Sequence, residues 1–69
     1  MEKTTKIIVR VAFFGDAEAV EGQKHFDLAM KTAQLLAENG YIIINGGGPG
    51  IMLAATLGAK IGGGKVELS

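Results

Sequence analysis

At 69 residues the chain is one domain at most. A chain this short buries only about 60% of its unfolded surface, and with no cysteine it has no disulfide or thiolate metal site to compensate. A content of 48% hydrophobic and 20% charged residues excludes a disordered chain and suits strands buried on both faces, as in parallel sheets. The seven basic residues (Lys3, Lys6, Arg10, Lys24, Lys31, Lys60 and Lys65) balance seven acidic ones and are scattered, unlike the clustered footprint of a nucleic-acid groove.

The start, Met1 to Lys6, is charged but leads into only a short apolar stretch. It does not read as a signal peptide, and no apolar run approaches a membrane span. The expected address is cytoplasmic. Ile7 to Phe14 reads as the first strand, β-branched and aromatic with Arg10 as its only polar interruption. Gly15 to Gly22 is a polar connection. A helix is expected from about Gly22–Lys24 to Asn39, because Phe26, Ala29, Met30, Ala33, Leu36 and Ala37 form one apolar stripe. Gly40 suits the left-handed position that ends it. Tyr41 to Asn45 reads as a second strand. A second helix runs from Pro49 or Gly50 to Ala59 or Ile61, where three glycines stop it, and Lys65 to Ser69 opens a third strand.

The pattern β-α-β-α-β implies an α/β fold: a Rossmann-like parallel sheet, ordered 3-2-1 or 2-1-3, with right-handed crossovers. Three such strands leave two open edges and a poorly covered face. Residues 1–69 are therefore expected to be the N-terminal portion of a single Rossmann-like nucleotide-binding domain, a half-domain whose C-terminal half lies outside this chain.

The most informative segment is Tyr41-Ile-Ile-Ile-Asn-Gly-Gly-Gly-Pro-Gly-Ile-Met52. A strand, a glycine loop and a helix N-terminus together make an anion site. The first helical N–H groups lack intrahelical partners, the helix dipole is positive there, and residues without Cβ let a phosphate approach the backbone. Gly46 and Gly48 supply a G-x-G, but Ile51 stands where a dinucleotide loop wants its last glycine. Gly62 to Lys65 is followed by Val66, not Ser or Thr, and leads into a strand, so it is no phosphate-binding P-loop. A turn that needs its glycines only for tight packing is the competing reading.

Reactive groups are few. His25 is the only histidine and has no second ligand or dyad partner. It reads as solvent-facing. Asp16 and Glu18 lie just after the first strand, at the carboxyl edge of the sheet, where open α/β sheets bind ligands. Asp16 either accepts a hydrogen bond from a ribose hydroxyl or base amine, or bonds its own turn. Glu21 and Asp27 suit a helix N-terminus. Thr56, Met30 and Met52 read as packing residues. No nucleophile–base pair and no paired carboxylates are visible, so the catalytic set expected within this chain is none, and the metal set is none.

From Asn45 to Ala55, with Gly58-Ala59 following, the chain resembles the LONELY GUY family. These are Rossmann-like cytokinin riboside 5′-monophosphate phosphoribohydrolases, long labelled possible lysine decarboxylases. The family's segment is similar to GGGPGIMEAANRGA. The flanks agree at Phe14-Gly15 and at Leu35 to Gly40, and the register holds over nearly the whole chain. The resemblance implies a nucleoside monophosphate ligand resembling AMP, with Gly47, Gly48, Gly50, Ile51 and Met52 helping to frame it; Gly15, Asp16 and Gly46, beside them at the strand ends, complete the expected binding set. It also implies hydrolysis of the N-glycosidic bond to free base and ribose 5-phosphate, no cofactor, and a homodimer of the full-length parent. Three departures stand out. Asp16 replaces the usual Ser and would repel phosphate, which turns it toward ribose or base. Leu53, Thr56 and Leu57 replace Glu and Asn-Arg, removing polar contacts. The second motif, similar to PGGxGTxxE, and the arginine before it are absent, and these carry the family's catalytic Arg and Glu.

Two functions from different classes follow: a fragment of a nucleoside 5′-monophosphate phosphoribohydrolase, or a non-catalytic nucleotide-binding or sensing module. A downstream Pro-Gly-Gly-x-Gly-Thr-x-x-Glu run would select the first. Lysine decarboxylation fits poorly, because Lys60 and Lys65 flank a glycine turn with no evident pocket.

Overall fold

The computed structural model describes residues 7–68; Met1–Lys6, read above for targeting, and Ser69 lie outside them. Five elements follow one another: β1 (Arg10–Ala12), α1 (Lys24–Glu38), β2 (Ile42–Asn45), α2 (Ile51–Ile61) and β3 (Val66–Leu68). The sheet is parallel with β2 in the middle, the 3-2-1 order of the two anticipated. The fold is the expected Rossmann-like half-domain.

The first strand is shorter than its apolar run. Pairing is limited by β2, which is four residues long. Hydrogen bonds from Ile42 N–H to the Val9 carbonyl and from Phe13 N–H to the Ile44 carbonyl extend the paired stretch to Val9–Phe13. Ile7, Ile8 and Phe14 fall beyond it and are exposed.

Strand alternation divides the sheet into two unlike faces. Val11, Ile43 and Val66 lie side by side in register and face the helices. Ile43 is fully buried with Ala33 and Ala37 of α1 and Ala55 and Ala59 of α2. A second cluster joins Ala19, Phe26 and Ala54, with Met30, Ile51 and Leu57 against it. The opposite face carries Arg10, Ala12, Ile42, Ile44 and Glu67, and no element among the described residues covers it. There Arg10 Nε donates to Glu67 Oε1 at 3.0 Å, an ion pair that bridges across β2.

The helices approach closely because their shared surface is rich in alanine and glycine. A Cβ on Gly58 would overlap the Met30 carbonyl oxygen, and one on Gly62 would sit 2.5 Å from the Gln34 carbonyl oxygen. Both helices end in the same closure. Gly40 N–H bonds the Ala37 carbonyl and Tyr41 N–H the Leu36 carbonyl, with Gly40 at φ 87°. Gly63 N–H bonds Lys60 and Gly64 N–H bonds Ala59 in the same way.

Candidate functional site

At the carboxyl edge of the strands two loops meet. The first leaves β1 through Gly15 and Asp16; the second leaves β2 through Gly46 to Gly50. Ile51 N–H, the first amide of α2, donates to the Asp16 carbonyl at 3.0 Å. Gly50 makes that approach possible. A Cβ there would overlap the Asp16 carbonyl oxygen and crowd Ala17, and its φ 73°, ψ −130° is a conformation that side-chain-bearing residues rarely adopt. Gly15 lets the Ile51 side chain in: a Cβ on it would stand 3.2 Å from Ile51 Cβ. Gly15, Asp16, Gly50 and Ile51, distant in sequence, therefore form one junction.

The remaining loop residues lie beside it. Met52 leans back over the loop, with its Sδ 3.4 Å from a Cβ placed on Gly46 and its Cε 2.5 Å from one placed on Gly48. Gly47 faces the end of β3, where Leu68 Cδ2 would be 3.4 Å from its Cβ.

The amide groups of the loop divide into spent and available. Gly47 N–H donates to Asn45 Oδ1 at 2.7 Å, and Ile51 N–H is spent on Asp16. Pro49 has none. The N–H groups of Gly48, Gly50, Met52 and Leu53 have no acceptor among the described residues. Neither helix has a side-chain cap at its N-terminus: Gln23 precedes α1 and Gly50 precedes α2. Surplus donors at the head of α2 thus share one edge with the Asp16 loop.

Asp16 is exposed, and its Oδ1 accepts from Glu18 N–H at 2.9 Å, the turn-forming role weighed in the sequence. Its second oxygen has no donor among the described residues. His25 is exposed on the first turn of α1, as anticipated. Asp27 lies in that turn, and its Oδ1 accepts from Gly22 N–H at 3.0 Å. Thr56 reaches inward, where its Oγ1 accepts from Asn45 Nδ2 at 2.9 Å.

Asn45 is the residue that sequence reading passed over. It is the one buried polar residue among the described positions. The available signal was parity: in Ile42 to Asn45, alternation puts Asn45 on the same face as the buried Ile43. A polar residue at such a position must be satisfied by specific partners.

The described residues enclose no pocket, and no three of their His, Asp or Glu side chains gather as a metal set. No helix among them is long and apolar enough to cross a membrane.

Comparison with known proteins agrees with this architecture. A family model described as "SLOG cluster4 family" matches residues 6–66. The SLOG superfamily includes LONELY GUY-like Rossmann proteins, so the resemblance read from the glycine loop holds at that level. A protein from Archaeoglobus fulgidus, described as uncharacterized, is 36% identical over 59 residues. That alignment takes in 86% of this chain and 38% of the relative, so the chain spans well under half the length of the relative it matches.

Proposed function

The chain belongs to the SLOG cluster4 family, and from that membership we propose that it forms the nucleotide-binding half of a nucleoside 5′-monophosphate phosphoribohydrolase. The family is one of nucleotide-related Rossmann-like proteins. The observation that carries the finer reading is the junction of the Asp16 loop with the head of α2, where the Asp16 carbonyl meets Ile51 N–H and unspent backbone donors follow.

These donors and the Asp16 carboxylate suit the two ends of one ligand. The N–H groups of Gly48, Gly50, Met52 and Leu53 are free to donate to an anion's oxygens, with the dipole of α2 behind them. The Asp16 carboxylate repels a phosphate and accepts hydroxyl or amine hydrogens, so it addresses the ribose or the base. The ligand is a nucleoside 5′-monophosphate such as AMP. Cleavage of its N-glycosidic bond requires groups that stabilise positive charge on the sugar and activate water or the leaving base. In this reading they come from the longer parent protein, where a homodimer completes the site, and this chain positions the ligand. No metal or redox cofactor takes part.

Calorimetric titration of AMP into the chain tests the binding. Gly48→Val fills the approach to the loop and should weaken AMP at least about tenfold, the loss of roughly one charge-assisted hydrogen bond. Because the new side chain also presses on Met52, the double variant Gly48→Val/Met52→Ala separates the two effects. A persisting loss there reports ligand approach. Equal affinities in wild type and variants would sink the reading. The companion assay is adenine release from AMP: the 69-residue chain should show none above the uncatalysed rate, and the full-length parent should show turnover.

A further inference from the structure

We propose that Asn45 is the positioning residue of the glycine loop, and that Thr56 holds it in the orientation that does so. The inference rests on the nucleotide reading of the loop and adds to it the residues that shape the site without touching the ligand.

Asn45 is fully buried at the carboxyl end of β2. A buried side-chain amide is costly unless its donors and acceptors are met. Here the two ends of the amide go to different elements. Oδ1 takes the Gly47 N–H at 2.7 Å, and Nδ2 gives to Thr56 Oγ1 at 2.9 Å. The orientation follows from chemistry, since a backbone N–H can only donate and the amide oxygen must face it. Thr56 accepts on the other side. Were the amide reversed, nitrogen would meet the Gly47 N–H and both would be donors.

One side chain therefore ties the strand, the loop and the helix together. The loop has little else to fix it. Its glycines carry no side chains, and Pro49 offers no N–H. Fixing the Gly47 amide selects one arrangement of the peptide units that follow, and so aims the unspent donors of Gly48 and Gly50. Binding to a loop already in that arrangement avoids the ordering cost. Thr56, read from sequence as a packing residue, acts on the ligand through Asn45.

The test uses the 15N-labelled chain, with amide exchange at Gly47 and AMP titration as paired readouts. In wild type the Gly47 amide should exchange as slowly as Ile43 and Ile44, although Gly47 lies at the surface; free exchange there overturns the proposal without any variant. Thr56→Val keeps the shape of the residue and removes the acceptor. It should speed exchange at Gly47 and weaken AMP by about tenfold, with the Ile43 and Ile44 resonances unmoved. Thr56→Ser should restore both. A merely structural contribution would leave AMP affinity unchanged in folded Thr56→Val, or would not be rescued by Ser, and either result overturns the proposal. If wild type itself binds no AMP, the nucleotide reading fails, and exchange at Gly47 alone decides whether Asn45 sets the loop.

Discussion

A single glycine position can have its ordinary sign reversed by what lies opposite. Gly58 sits within α2, where replacing glycine by alanine usually stabilises a helix by about 1 kcal/mol. A Cβ there would run into the Met30 carbonyl oxygen, which is backbone and cannot swing aside. Gly58→Ala should therefore destabilise the chain, by about 2–4 kcal/mol in urea denaturation, as overpacked core sites do. A gain in stability would show that the helices separate freely. Gly50→Ala meets the Asp16 carbonyl oxygen as well as an unfavourable backbone conformation, and should lose a similar amount. The sequence made these residues conspicuous, but their partners were not legible. Asp16 lies far from Gly50 in the chain, and Met30 far from Gly58; only the fold brings them together. Asn45 was legible in principle, through alternation, yet its bonds to Gly47 and Thr56 depend on where α2 lies.

The order and type of all five elements could be read from the chain, because periodicity and glycine punctuation agreed at each boundary. Lengths were harder. The apolar run Ile7–Phe14 promised a long strand, but a strand is paired only as far as its neighbour, and β2 spans Ile42–Asn45. The choice between 3-2-1 and 2-1-3 rests on contacts across elements that no local pattern encodes. The ion pair between β1 and β3 was equally hidden, since Arg10 read as an interruption and Glu67 as a strand residue. Its side chains are 50% and 44% exposed, so solvent screens it and its contribution is at most about 1 kcal/mol. Glu67→Gln should cost less than that at low salt and close to nothing at 1 M salt, where the screening length falls to about 3 Å. A loss that persists in high salt would mean that the pair acts through packing.

The buried core is mostly alanine, with Phe26 and Ile43 its largest apolar members. Phe26→Ala should cost about 3–5 kcal/mol, comparable to the whole stability of a domain this small, and far-ultraviolet circular dichroism should show the variant substantially unfolded at 25 °C. The uncovered sheet face bears on solubility. Ile8 and Phe14 extend the same parity as Ala12 and are exposed, so the isolated chain should self-associate, with a sedimentation coefficient that rises with concentration. A chain that stays monomeric at high concentration would refute this. The helix ends carry a last consequence. Both carboxyl ends fold their final carbonyls into glycine closures, while neither amino end has a side-chain cap. The molecule is thus chemically one-ended, sealed at the edge where the helices finish and short of acceptors where they begin. Small anions should then act on it as ligands and not merely as ionic strength. Millimolar phosphate should raise the melting temperature above that in chloride of equal ionic strength, following a saturating curve, and Gly48→Val should flatten that curve while leaving the response to chloride as it was.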